Sequence, residues 1–201
     1  MMVCSDIHGS ERAIDLINKA CREHEPELIV VCGDITNFGP GKWASRFIER
    51  LEGTIIVVHG NCDTQDVINA LKESRAIYIH GSTYEYKGYV FAGIGGGNIS
   101  PFNTPMEMDE EGFERVLNKL KVNNSILVTH TPVYGYLDQI APYTPHLGSK
   151  ALKRFVQKAK PILVCSGHIH EARGWIRDQG TVFVNPGPAK KGYLAVVEMD
   201  K

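Results

Sequence analysis

Leu28-Ile29-Val30-Val31-Cys32-Gly33-Asp34 decides how this chain is read: five apolar residues, then a glycine, then a carboxylate. An apolar run of that length with a turn residue behind it reads as a strand buried on both faces, which belongs in a helix-covered sheet. The arrangement recurs. Met1-Met2-Val3-Cys4-Ser5 runs into Asp6 and His8, and Thr54-Ile55-Ile56-Val57-Val58 leads through His59 and Gly60 to Asn61. Ser125-Ile126-Leu127-Val128-Thr129 ends at His130, and Pro161-Ile162-Leu163-Val164-Cys165 is followed by His168 and His170. Ligands of open α/β sheets gather beyond the carboxyl ends of the strands. These strand ends therefore deliver two carboxylates, one amide and four imidazoles to one region of space.

Such a donor set suits a pair of divalent cations. No thiolate stands at these positions, so iron–sulfur and Cu(I) sites are disfavoured, and the N/O mixture fits Mn, Fe, Co, Ni or Zn. A carboxylate shared between two metals holds them about 3.5–4 Å apart. Asp34, alone on its strand end, is the natural bridge. Asp6 and His8, two residues apart, are placed to chelate one metal together.

In order along the chain stand Asp6-Ile7-His8, Gly33-Asp34, Gly60-Asn61-Cys62-Asp63, the lone His130, and Gly167-His168-Ile169-His170. These blocks resemble those of the calcineurin-like metallophosphoesterases, in particular small archaeal and bacterial phosphodiesterase-type members. Gly-Asp alone is a weak signal; the full set in order, each block behind a predicted strand, is specific. The resemblance implies that Asp6, His8, Asp34 and His170 hold one metal and that Asp34, Asn61, His130 and His168 hold the other. It further implies hydrolysis of a small phosphoester through a hydroxide held between the metals, with Asn61, Cys62, Asp63 and His168 as catalytic candidates. His168 would also face the substrate, and Asp63 would orient Cys62 or a ligand. Cys62 departs from the family, most of whose members carry a histidine there that protonates the leaving oxygen. A neutral thiol lacks the charge that favours a monoester dianion, so a phosphodiester is the expected substrate. The alternatives are a phosphomonoesterase or nucleotidase on the same site, and a non-catalytic protein-binding scaffold, which would be expected to have lost ligands.

With 201 residues, 43% of them hydrophobic, the chain suits one domain over 1–201. Its 22 basic and 23 acidic residues give net charge −1, no field for long nucleic acid or an anionic membrane. No apolar run reaches about 18 residues, and no leader pattern precedes the first strand. That strand is short at its start, which suggests missing upstream residues. Cys4, Cys32 and Cys165 lie in apolar strands, so the five cysteines read as reduced thiols of a cytoplasmic protein. Oligomeric state is open, a homo-oligomer included.

Helices should follow the first strands: Ser10, Thr64, Asp109 and Ser149 suit N-caps, and Trp43, Phe47, Ile48 and Leu51 form an apolar stripe. From 75 to 95, and again after Gly167 (172–176, 181–184 and 193–197), short strands without helices between them should pair as antiparallel hairpins. The expected fold is a four-layer α/β/β/α sandwich of two mixed sheets, as the resemblance also implies. Two loops adjoin the expected site. Gly95-Gly96-Gly97-Asn98 offers consecutive amides that could cradle an anion, making Gly96, Gly97 and Asn98 substrate-binding candidates, although it also reads as a plain turn. The segment 131–148 carries His146 just before a helix start, a place suited to phosphate. His24 reads as solvated, His80 as a turn residue without a motif, and His59 as a strand-end histidine with a structural hydrogen bond.

Overall fold

Alternation along the strands builds the layers. In the computed structural model, which describes residues 1–199, strand β2 (Leu28–Cys32) sends Leu28, Val30 and Cys32 to one side and Ile29 and Val31 to the other. All five are buried, because successive side chains point to opposite faces and both faces are covered. β1 (Met2–Cys4) and β3 (Thr54–Val58) flank β2 in parallel, and β4 (Ile77–Tyr78) adds to β3. The second sheet is built on β6 (Tyr89–Ile94), β9 (Ile126–Thr129), β10 (Leu163–Cys165) and β12 (Thr181–Asn185), neighbours in that order and all parallel. Antiparallel partners close its two edges: β5 (Thr83–Tyr86) on β6 and β11 (Gly174–Asp178) on β12. A small third pairing joins β7 (Gly97–Asn98) to β8 (Glu107–Met108).

The sheets pack face to face through Val3, Val30, Cys32, Ile56 and Val58 of one and Phe91, Ile126, Val128, Leu163 and Cys165 of the other. Outside the first sheet lie α1 (Glu11–His24), α2 (Gly41–Arg50) and α3 (Gln65–Glu73), which bury Ile14, Ile17, Phe47, Ile48 and Leu71 against Met2, Ile29 and Val57. Outside the second lie α4 (Glu110–Leu117) and α5 (Lys150–Ala159), packing Phe113, Leu152 and Val156 on Leu127 and Val164. The order is helix, sheet, sheet, helix, as expected.

Ser10, Thr64, Asp109 and Ser149 each accept the amide three residues on, as N-caps do. α2 starts behind Pro40 with no cap of its own, and the Asp66 carboxylate of α3 takes the Gly41 amide at 2.6 Å. Leu51 ends this helix rather than lying within it, and Trp43 stacks on Phe47, only partly buried. Two expectations near the carboxyl end are corrected. His170–Ala172 forms a 3-10 turn, so the following strand starts at Gly174 instead of 172. β13 (Ala195–Val196) does not form a hairpin with β12 but crosses to the first sheet and pairs antiparallel with β1. A turn at Ala189–Lys191, tied to Ser5 by its Ala189 amide, carries the chain across and covers an edge of β1 that would otherwise be unpaired.

Candidate metal centre

Parallel strands point their carboxyl ends the same way, and the turns leaving β1, β2, β3, β9 and β10 meet at one end of the sandwich. The Cys32 carbonyl at the end of β2 accepts from Ser5 Oγ at 3.1 Å and from His130 Nδ1 at 2.7 Å, joining the two sheets. The His8 amide donates to the Asp34 carbonyl at 2.9 Å, and the His168 amide to Asp6 Oδ2 at 3.2 Å. Asp6, His8, Asp34 and His168 all hold left-handed backbone, with φ of 56°, 48°, 50° and 68°. Non-glycine residues adopt that region at a cost, and they persist there only where surrounding contacts over-determine them. Gly60 and Gly167 are required by close approach: a Cβ on Gly60 would overlap the Asp34 carboxylate, and one on Gly167 the Ser5 side chain. Those two overlaps account for the glycines that open the Gly-Asn-Cys-Asp and Gly-His-Ile-His blocks.

Among the described residues, donor atoms converge in three overlapping groups, each within 4.8 Å: Asp6, His8 and His170; His8, Asp34 and Cys62; and Asp6, Asp34 and His130. Asp6 Oδ1 lies 3.2 Å from His170 Nε2, His8 Nε2 lies 3.7 Å from Asp34 Oδ2, and His130 Nε2 lies 3.5 Å from Asp34 Oδ1. With its Nδ1 bound to the Cys32 carbonyl, His130 turns Nε2 to Asn61 Oδ1, 2.9 Å away. Fixing a ligand imidazole through its other nitrogen is the usual way to orient it. His168 lies outside the three groups, with its ring centroid 5.1 Å from that of His130. Burial and the neighbouring His130 push His168 down to about 4, which keeps it neutral and able to ligate. Burial also lowers His8. For His130 burial pulls downward, but the charges of Asp34 and Asp6 prevail and raise it.

The residues fit divalent cations. Asp6 Oδ1 is buried and makes no hydrogen bond of adequate geometry, and neither does His8 Nδ1. A buried carboxylate oxygen in that state is expensive unless a cation partners it. Asp34 reaches both halves of the cluster, with Oδ2 toward His8 and Oδ1 toward His130, and its Oδ1 is steadied by the Cys62 amide at 2.8 Å.

Asp63 does not face the cluster. Its carboxylate accepts the amides of Ile35, Thr36 and Gly60 and the Thr36 hydroxyl, at 3.2, 2.8, 2.8 and 3.1 Å. It thus staples the turn after Asp34 to the turn before Asn61. Burial and the Asp34 charge raise Asp63 to about 6, against the pull of those amides. Cys62 is buried, and burial, then Asp34, pushes its thiol up.

Neither loop presents the free amides that an anion cradle would need, and the glycine loop matches the plain-turn reading. The amides of Gly95, Gly96 and Gly97 already donate to His80 Nδ1, the His59 carbonyl and the Met106 carbonyl, at 3.0, 3.0 and 2.9 Å. Gly97 is small because a Cβ there would run into Asn61. Asn98 ties the two loops together by donating to the Leu147 carbonyl at 2.8 Å. The start of α5 is likewise taken: Glu110 accepts the amides of Lys150 and Ala151 and the Ser149 hydroxyl. His146 is held through Nδ1 by Asp138 at 2.7 Å and lies against Tyr134. His59 has the expected structural bond, to Tyr78 OH at 2.8 Å. His80, read as a plain turn residue, packs on His59 with ring centroids 4.8 Å apart. Sequence reasoning also missed Glu107. It gathers the hydroxyls of Ser100 and Thr104, both at 2.6 Å, and Thr104 accepts the Asn61 side-chain amide at 3.0 Å. Only the Ser/Thr/Asn content of the loop hinted at such a knot.

All five cysteines are unpaired, and among the described residues no helix is long and apolar enough to cross a membrane. The family model for calcineurin-like phosphoesterases matches residues 1–172. An uncharacterized protein of Methanocaldococcus jannaschii is 34% identical over 194 residues, 92% of this chain and 86% of that protein. The phosphodiesterase YfcE of Escherichia coli K12 is 32% identical over 74 residues, 32% of this chain and 40% of its own. Among solved structures, the protein TT1561 of Thermus thermophilus superposes with a TM-score of 0.74 at 18% identity, covering 96% of this chain and 91% of its own.

Proposed function

The chain belongs to the calcineurin-like phosphoesterase family, and on that premise we propose that it is a dinuclear metal-dependent hydrolase of small phosphodiesters. The observation that carries the reading is the convergence of carboxylate and imidazole donors in one cluster, in which Asp6 Oδ1 is buried and faces His170 Nε2 at 3.2 Å without a well-formed hydrogen bond. Asp6, His8 and His170 would hold one cation and Asn61, His130 and His168 the other, with Asp34 shared between them. Bound there, two divalent transition metals, Mn the first to try, supply an acidified water and positive charge opposite the phosphoryl oxygens.

The chain's own residues then set which ester is preferred. Cys62, unlike an imidazole, carries no positive charge in either protonation state, so no cationic acid stands at this position to attract a monoester dianion. A diester carries one negative charge and loses less by that absence. The partial likeness to a phosphodiesterase agrees with this preference. His59 is a weak substitute acid: burial and the nearby His80 push it well down, and its Nδ1 is engaged by Tyr78. The unpaired buried thiols fit a reducing compartment, which we take to be the cytoplasm.

The test is a panel of p-nitrophenyl phosphodiesters and monoesters with protein stripped of metal and reloaded with Mn. Metal-dependent turnover with diesters ahead of monoesters is expected. Full activity in the stripped protein, or monoesters ahead of diesters, would refute the proposal.

A further inference from the structure

One edge of the second sheet stands open. Among the described residues β11 has β12 on one side and no strand on the other, and its hairpin turns through Gln179 and Gly180, both at positive φ. Val182 and Val184 of β12 direct their backbone groups toward β10: the Val182 amide donates to the Ile162 carbonyl at 3.0 Å, and the Val184 carbonyl accepts the Ser166 amide at 2.9 Å. Thr181, Phe183 and Asn185 therefore bond β11, and their partners there are Asp178, Ile176 and Gly174. Inward-bonded and outward-facing residues alternate along an antiparallel strand. Trp175 and Arg177 thus turn their amides and carbonyls away from the sheet. Both side chains are exposed, Trp175 to 70%. They share a face with Val184 and Val182. On that face a groove of about 510 Å³ is lined by Trp175, Val182, Val184, Leu194, Val196 and Val197. Among the described residues Arg177 has no ion pair and no ring beneath it. Exposed edges are usually blunted, and the opposite edge is: Tyr86 of β5 and the adjoining Lys87 are tied to Glu27.

We propose that β11 pairs with the β11 of a second copy of this chain, antiparallel about a two-fold axis at Ile176, so that the two sheets join into one. Outward-facing groups can bond only to outward-facing groups, so the axis must stand at Trp175, Ile176 or Arg177, and charge selects among these. An axis at Arg177 sets it against the partner's Arg177. One at Trp175 sets Arg177 against the partner's Arg173. Like charges directly opposite one another are unfavourable. An axis at Ile176 instead pairs the amide and carbonyl of each Trp175 with the carbonyl and amide of the partner's Arg177, which leaves none of these outward groups unmatched. It also lays each indole beside the partner's guanidinium, a favourable contact for an aromatic face and a cation. The exposed ring and the unpaired cation of one chain are then two halves of a contact that the symmetry makes twice. On the other face Ile176, 39% exposed in the single chain, meets the partner's Ile176. A strand from a different protein would need a cation and an aromatic ring at this same spacing; this edge already carries both, so a second copy is the occupant.

Sedimentation equilibrium over a range of concentrations, on the full chain loaded with Mn, tests the pairing. The wild type should show twice the mass of one chain and dissociate on dilution. Trp175→Arg places like charges opposite one another and should weaken the dimer about tenfold or more. Adding Arg177→Trp to that variant exchanges the two residues, restores the contact in mirror order, and should return the dimer to within about threefold of the wild type. Arg177→Pro removes an amide that bonds nothing within the chain, a position where an edge strand tolerates proline. It should abolish the dimer while leaving the circular dichroism and the melting curve close to those of the wild type. If that variant does not fold, Trp175→Arg and the exchanged pair decide the matter alone. A wild type that stays monomeric at every concentration would overturn the proposal. So would a dimer that survives Trp175→Arg or a folded Arg177→Pro, since another surface must then hold it, and so would an exchanged pair that fails to restore it.

Discussion

Asp34→Asn should make the metal-free protein more stable while removing most of its response to metal. Asn matches Asp in size and keeps the oxygen that accepts the Cys62 amide at 2.8 Å. What it removes is a charge 3% exposed to solvent, with oxygens of Asp6 and Asp34 within 4.8 Å. Two like charges at about 5 Å and an effective dielectric near 20 repel by about 3 kcal/mol. His130, raised by those same carboxylates, cancels part of this, so a gain of about 1–2 kcal/mol is expected in chelator. For a chain of this size each kcal/mol moves the melting temperature by about 2–4 °C, so the variant should melt roughly 2–8 °C higher in EDTA. Metal acts in the other direction on the comparison. At about one hundred times the dissociation constant, one site adds about 2.7 kcal/mol, and two sites about twice that. The wild type should therefore gain some 10–20 °C on adding Mn, and Asp34→Asn less than a third of that. Differential scanning fluorimetry with EDTA and with a Mn titration reads both numbers. A variant that melts below the wild type in EDTA would mean that Asp34 serves the fold, and one that keeps the full Mn shift would mean that it is not the shared ligand.

Three further outcomes are expected. Cys62→His should raise the monoester-to-diester ratio of kcat/KM by about 10-fold or more, the scale of general-acid help; an unchanged ratio with metals bound would make Cys62 a space filler. Glu107→Gln loses charge-assisted bonds to Ser100 and Thr104, so Mn affinity by calorimetry should fall several-fold at the Asn61 site, while a fall at both sites alike would indicate general loosening. His146→Ala should raise KM or shift selectivity across the substrate panel without releasing metal; a variant equal to the parent on every substrate would leave His146 a structural partner of Asp138.

Much of this architecture was legible because the strands carry it openly. Ile29 and Val31 face one core and Leu28, Val30 and Cys32 another, and a strand apolar at every position has no other stable place than between two covered faces. The residues behind those strands were legible for the same reason, since a parallel sheet fixes which ends come together. The path of β13 was not. Nothing local distinguishes a strand that returns to β12 from one that crosses to β1; the choice is made by the open edge of β1 and by the Ser5 carbonyl that takes the Ala189 amide. The glycine loop, which could be read as an anion cradle or as a plain turn, was undecided for a similar reason. Consecutive glycines advertise free amides, but whether an amide is free depends on distant partners such as His80 and Met106.

The left-handed candidate ligands show how the fold and the site depend on each other. Asp6, His8, Asp34 and His168 each carry backbone strain of order 1–3 kcal/mol, and no regular strand or helix would hold their side chains at that point. The strain is sustained by bonds that run between the turns: Asp6 to Gly33, His8 to Asp34, His168 to Asp6, and Asp63 to both the Asp34 and Asn61 turns. Each turn is thus held by one that supplies another candidate ligand, and loss of any single turn loosens the rest. Asp63 is central to this exchange although it points away from the donor cluster. The carboxylate behind Cys62 therefore acts by positioning Asp34 and Asn61 together, and through them the two halves of the candidate centre.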